Sequence, residues 1–279
     1  MRRAFWVLST VLLLALPGCK SEFEKIRTSG DADSIYKMAI DLYDKGEYLK
    51  AQTLFELVIG AYRGRKELED VYFKYAYTFY YLEKFVLASY YFENFSNTFP
   101  TSINREESDY MTAFSFYQLS PNFRLDQKYT GEAIDAFQTF VNTYPQSERV
   151  EECNRLIDIL RKKLETKAFE AALLYFDLRQ YQSATRSFEN LLKDFPETKN
   201  AEEVRYLIVQ SSFLLADNSV VEKQKERYQS TLDYAREFTK KYPRGQRSKE
   251  VQLILDTSER KLKSLADGRY QEQSAGDRS

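Results

Sequence analysis

The chain has 279 residues, a net charge of −1, 22 Tyr and 20 Phe, but only 9 Gly and 6 Pro. A near-neutral balance offers no basic field for nucleic acid, and the shortage of turn residues argues against a β-sandwich. The absence of histidine removes Ser-His-Asp triads, Cys-His dyads and His-ligated zinc, so carboxylates alone are left for any enzyme chemistry.

The first segment, 1–18, reads as a signal to be processed. Arg2 and Arg3 precede an apolar run from Ala4 to Leu16 that is too short to span a bilayer. Leu16–Pro17–Gly18–Cys19 then resembles a bacterial lipobox, with Pro17 an imperfect fit. The plainer reading is an ordinary signal peptide that happens to contain a cysteine. On the lipobox reading Cys19 carries the lipid, palmitate included, and anchors the mature chain to the membrane, since several acyl chains hold where one does not. Lys20 after the cysteine, where Asp would favour inner-membrane retention, points to the outer membrane. No transmembrane segment follows. Residues 19–32 are expected to be a polar, lipidated spacer.

From Asp33 to about Ala266 the chain reads as helices broken at Gly46, 62–64, 100–103, 121–122, 145–147, 196–198 and 243–246. A phrase recurs: Ala, a ring four residues on, and Pro twelve after the Ala. It reads Ala88–Phe92–Pro100, Ala133–Phe137–Pro145 and Ala184–Phe188–Pro196, with a weaker Ala51–Phe55 and a drifted Thr231–Ala235–Pro243. A small residue before an aromatic, closed by Pro, is the second helix of a tetratricopeptide repeat. First helices place packing residues at offsets 0, 3, 4 and 7: Ile35, Met38, Ala39 and Leu42; Tyr72, Tyr75, Ala76 and Phe79; Ala168, Ala171, Ala172 and Tyr175. The expected fold is therefore all-α, a superhelical tetratricopeptide solenoid of about five repeats. Residues 33–147 hold repeats one to three, and 148–266 hold repeats four and five with a capping helix, 248–265.

Further features fall in chain order. Extra residues enter the third repeat at 121–128 and the fifth at 217–222, and 149–175 reads as one long helix. Cys153 is expected to be a buried, inert thiol. Arg161–Lys163 and Lys240–Lys241 read as solvated helix faces, and the pairs Glu151–Glu152 and Glu202–Glu203 as adjacent acids that do not converge for catalysis. The tail, 267–279, is polar and expected to be disordered.

First helices line the concave face of such an array. Beside the packing positions stand Asp33, Tyr36, Ile40, Tyr43 and Asp44; Asp70, Phe73, Tyr77, Tyr80 and Tyr81; and Glu107, Tyr110, Phe114, Tyr117 and Gln118, nine of the fifteen being aromatic. Either neighbouring repeats bury these rings, or they form a partly exposed groove for a peptide with aromatic anchors. No cofactor or metal site is read.

The lipobox, the short spacer and the degenerate repeats together resemble the BamD (YfiO) family. The likeness runs from about Ser34 to Ala216 and is carried by Tyr48–Leu49–Lys50–Ala51–Gln52–Thr53–Leu54–Phe55, Ser108–Asp109–Tyr110–Met111 and the insertion with Asp126, and Phe140–Val141–Asn142–Thr143–Tyr144–Pro145–Gln146–Ser147. Two departures stand out: Ala61–Tyr62–Arg63–Gly64 lacks the closing Pro, and the chain past about Asn218 is longer. The resemblance implies a non-enzymatic lipoprotein of the outer-membrane β-barrel assembly (Bam) machine, on the periplasmic face of the outer membrane. Its C-terminal half would dock on the periplasmic domains of a BamA-like barrel. Its N-terminal repeats would receive unfolded barrel precursors by their aromatic C-terminal strand. Another tetratricopeptide lipoprotein, such as a secretin pilotin or a division coordinator, is the alternative. A lytic transglycosylase is disfavoured, because the repeats leave no room for a catalytic domain.

Overall fold

A computed structural model describes residues 21–267. Cys19, its lipobox, the signal segment and the tail from 268 onward lie outside the described residues. Within them every regular element is an α-helix: α1 (Glu22–Arg27), α2 (Ala32–Asp44), α3 (Tyr48–Ala61), α4 (Glu67–Tyr81), α5 (Phe85–Thr98), α6 (Arg105–Leu119), α7 (Lys128–Thr143), α8 (Val150–Asp177), α9 (Tyr181–Asp194), α10 (Ala201–Asp217), α11 (Val221–Lys241) and α12 (Ser248–Ala266). None is long and apolar enough to cross a membrane. The array is the expected tetratricopeptide solenoid. The spacer is not plain coil, however, because it contains α1. Ser21 caps that helix through Glu24 N–H at 3.3 Å, and Glu24 pairs with Arg27 at 2.8 Å.

The chain forms two compact units: residues to 121 with 128–157, and 122–127 with the residues from 158. The boundary falls inside α8, an unbroken helix of 28 residues. In the first unit the pairs α2/α3, α4/α5 and α6/α7 stack in sequence. The second contains α9 to α12 and the rest of α8.

The recurring phrase has a direct packing meaning. Ala51, Phe55, Ala88, Phe92, Ala133, Phe137, Ala184 and Phe188 are all fully buried, as is Ala235. A methyl group lets a neighbouring backbone approach, and a ring one turn later on the same face fills the space beside it. The rings just before Pro100, Pro145 and Pro243 fold back on their helices, Phe99 on Phe95 and Tyr144 on Phe140 at 5.1 Å, and Tyr242 on Phe238 at 5.2 Å.

Pro100, Pro145 and Pro196 are each followed by a latch. Ser102 donates to Glu69 at 2.5 Å, and Ser147 to Glu106 and Thr198 to Glu165 each at 2.6 Å. The same hydroxyls accept the backbone N–H of Asn104, Arg149 and Asn200 at 3.0, 3.2 and 3.1 Å. One side chain therefore starts the next helix and ties the closing turn to its own first helix. In the last repeat Gly245 takes the hydroxyl position, and a Cβ there would meet the Glu202 carboxylate in its present position. Glu202 instead accepts Arg247 N–H at 3.1 Å, and Glu203 holds the Arg247 guanidinium at 2.8 and 3.0 Å. Glu202 and Glu203 are thus structural anchors of this turn.

Two breaks escape sequence reading. Gly46, Glu83 and Arg179 all have φ near +60° to +77° (77, 57 and 58) and end α2, α4 and α8. In each case the next N–H reaches back five residues, Glu47 to Leu42 at 2.8 Å, Lys84 to Phe79 and Gln180 to Tyr175 at 2.9 Å. These are Schellman closures, for which only the first has the expected glycine. Gly46→Ala should cost the first unit about 1 kcal/mol, measured as a lower urea midpoint.

One further expectation needs correction. Of the fourth-repeat packing set, Ala172 is buried but Ala171 and Tyr175 are exposed. The inward stripe of α8 runs instead through Glu165, Phe169, Ala172 and Phe176, the 3–4 spacing of a helix face. The fifth-repeat insertion takes in the end of α10, the break at 218–220 and the start of α11, with Tyr228 Oη on Asp217 at 2.7 Å. The third-repeat insertion is irregular: Gln127 donates to the Asn122 and Leu125 carbonyls at 2.9 and 3.0 Å, and Lys167 to that of Leu125 at 2.5 Å.

Candidate functional site

The ring-rich face of α2, α4 and α6 belongs wholly to the first unit. Counting from the small residues Ala39, Ala76 and Ala113, rings recur three before (Tyr36, Phe73, Tyr110) and four after (Tyr43, Tyr80, Tyr117). The spacing of seven brings both sets onto one helix face.

The structure sorts these residues. Tyr110 is only 5% exposed, packed by Phe140 at 5.8 Å, Phe137 at 6.1 Å and the Arg149 guanidinium at 4.0 Å. It is a core ring, because the α7 phenylalanines and the arginine of the closing turn cover it, and it leaves the candidate groove. Tyr36, Tyr43, Phe73, Tyr77, Tyr80, Phe114 and Tyr117 are half-buried, and Tyr81 is 45% exposed.

The remaining rings form a connected surface. Tyr81 stacks on Tyr48 at 4.3 Å and 18°, and on Tyr77 at 5.6 Å and 25°. Tyr43 meets Tyr48 edge-on at 5.6 Å and Tyr81 at 6.2 Å. Tyr80 reaches Phe114 at 6.3 Å, which stacks on Tyr117 at 5.6 Å. Tyr48 was not among the sequence candidates, since it starts a second helix, α3. A signal for it exists: Tyr43–Tyr48, Tyr80–Phe85 and Phe176–Tyr181 share a spacing of five and meet at 5.6, 5.5 and 5.7 Å.

Carboxylates hold the phenols in place. Tyr36 donates to Asp70 at 3.2 Å, Tyr62 to Asp33 at 2.8 Å and Tyr77 to Glu107 at 2.5 Å. Asp70 also pairs with Lys74, and Glu107 with Arg149. Arg65 clasps Asp33 at 2.8 Å, and the Tyr62 and Arg65 hydrogen bonds hold the Asp33 carboxyl below its ordinary range. Burial, before any other cause, raises the phenols of Tyr43, Tyr77 and Tyr80; Tyr62 is pushed up to about 12 by burial and by Asp33. These rings stay neutral at physiological pH and offer apolar faces with fixed polar tips.

Such a face can grip side chains. Among the described residues no cluster of acids, Cys or His could hold a metal. Cys153 is buried, and its thiol is pushed up to about 11, first by burial and then by Glu152, which suppresses the reactive thiolate.

A family described as the outer membrane lipoprotein YfiO matches residues 28–226. The chain belongs to the YfiO family. The match takes in all of the ring-rich face and the first turns of α11; α1 lies before its start and α12 beyond its end. Over 224 residues the chain is 24% identical to the outer membrane protein assembly factor BamD of Rickettsia prowazekii (strain Madrid E), covering 80% of this chain and 88% of that protein. It is 26% identical over 267 residues to the putative BamD of Aquifex aeolicus (strain VF5), covering 94% and 86%. Among solved structures, the TPR2AB-domain:pHSP90 complex of yeast Sti1 superposes with a TM-score of 0.39 at 13% identity, over 82% of this chain and 98% of that one. That likeness is too loose to carry an argument.

Proposed function

We propose that this YfiO-family chain is a non-enzymatic lipoprotein of the outer-membrane β-barrel assembly machinery. Its first unit receives segments of unfolded barrel proteins, and its second docks on the periplasmic domains of a BamA-like barrel. Family membership and the assembly-factor names of its relatives support the setting. The observation that carries the receptor role is the Tyr48–Tyr81–Tyr77 stack with Tyr81 uncovered. Rings already fixed by stacking and by carboxylates lose little freedom when they take an aromatic side chain.

Tyr80→Ala with Tyr81→Ala should weaken a labelled peptide ending in Phe by about tenfold or more, given roughly 0.5–1.5 kcal/mol per aromatic contact. Fluorescence anisotropy reads the affinity and circular dichroism the helix content. Unchanged affinity with full helicity would remove the groove from the mechanism. Charge reversals on α10–α12 should reduce co-purification of the BamA-like barrel, while the ring changes leave it intact. The anchor is tested separately. Cys19→Ala should move the protein from the membrane fraction to the soluble fraction in cells lacking that barrel; retention there would refute anchoring through Cys19.

A further inference from the structure

A second surface lies on α5, α6 and α7, away from the ring face. It is a groove of about 410 Å³ whose lining includes Glu93, Ser96, Arg105, Asp109, Glu132 and Asp135. Its charges do not balance. Four carboxylates face one guanidinium, that of Arg105, which sits 3.8 Å from Asp109 and donates to the Pro100 carbonyl at 3.1 Å. Asp109 also accepts Tyr144 Oη at 2.7 Å. Among the described residues, the side chains of Glu93, Glu132 and Asp135 make no ion pair or hydrogen bond. Ser96, on the same wall, is 5% exposed, and its hydroxyl has no partner. A buried hydroxyl without a partner is costly unless something meets it.

The second unit shows how this groove is closed elsewhere. Second helices can be aligned on their small residues, Ala88 in α5, Ala133 in α7, Ala184 in α9 and Thr231 in α11. Glu189 then corresponds to Glu93, Tyr234 to Ala136, and Glu237 to Thr139. Arg205 corresponds to Asp109, each lying two residues after the acid that pairs with the arginine of its closing turn, Glu203 and Glu107. In the second unit Tyr234 donates to Glu189 at 2.6 Å, and Arg205 pairs with Glu237 at 3.3 Å, so both walls are joined. In the first unit Ala136 cannot reach Glu93, and Asp109 faces a threonine position. The walls stay open, and two more acids, Glu132 and Asp135, line them.

We infer that this groove docks an arginine-bearing segment of a protein partner. A guanidinium matches it in sign. Its five N–H donors can serve a carboxylate side-on and still reach the Ser96 hydroxyl, which a compact ammonium does less well. The docking surface is separate from the ring face, so one partner need not displace the other.

The test uses the full chain in detergent and a labelled nonapeptide of alternating Ser and Arg. Saturable binding is expected, and a counterpart with Gln in place of Arg should not bind. Glu132→Gln with Asp135→Asn should weaken binding about tenfold, the loss of charge-assisted contacts. Ala136→Tyr should do the same without changing net charge, by rebuilding the Tyr234–Glu189 closure between α5 and α7. Glu170→Gln with Asp177→Asn, which removes equal charge from exposed positions of the second unit, should leave binding unchanged. The inference is overturned if the Arg peptide does not saturate, if the second-unit control loses as much affinity as the groove variant, or if Ala136→Tyr, with helix content intact, binds like the parent chain.

Discussion

Phe92→Ala should destabilise the first unit by about 3–5 kcal/mol, the range for emptying a fully packed phenylalanine site. Phe92 is fully buried. Its ring supports Tyr77 edge-on at 4.9 Å and Phe73 at 6.4 Å. The substitution therefore leaves a cavity directly beneath the ring face. Hydrogen exchange resolved by peptide should show lost protection in α4 and α5 with α9 to α12 unaffected, since the two units are compact in themselves. Affinity for a peptide ending in Phe should fall too, although Phe92 itself cannot touch a ligand. Phe188→Ala is the mirror control. It lies in the second-unit core with Ala172, Leu191 and Val204, and should cost as much there while leaving the peptide affinity alone. Uniform loss of protection in both units for either variant would show that they do not unfold separately.

Glu165→Ala is expected to cost the second unit about 1.5–3 kcal/mol, the value of a buried hydrogen bond to a charged group. Glu165 is 8% exposed and accepts Thr198 Oγ1 at 2.6 Å and Lys162 Nζ at 2.8 Å. Its removal strips the closing turn of the tie that orients the hydroxyl accepting Asn200 N–H just ahead of α10. Glu165→Gln keeps an acceptor oxygen and should lose only about 1 kcal/mol. Urea denaturation of the full chain provides the comparison. An equal loss for Gln and Ala would mean that the carboxylate charge, rather than the latch to Thr198, is what matters. Ser102 and Ser147 make the corresponding latches in the first unit, to Glu69 and Glu106.

The helical array was readable without coordinates because its cause is local. A small residue, a ring one turn later and a proline at the exit each act within a single helix, and their repetition survives drift in everything else. The same reasoning missed Glu83 and Arg179, which close helices in the left-handed conformation. That conformation is imposed by the returning Lys84 and Gln180 N–H groups, and nothing in a glutamate or an arginine announces it.

The sequence by itself determined the repeats, their order, the long α8 and the family likeness, since periodicity and spacing fix which side of each helix is apolar. It could not rank the rings. Tyr110 and Tyr81 occupy similar aromatic runs, yet Phe137, Phe140 and Arg149 cover the first, while the second stays open beside Tyr48. Nor could it pair Glu202 and Glu203 with Arg247, or show that Ala136 leaves Glu93 without the partner that Tyr234 gives Glu189. Those outcomes depend on contacts between helices far apart in the chain, and only the tertiary structure decides which side chains meet there.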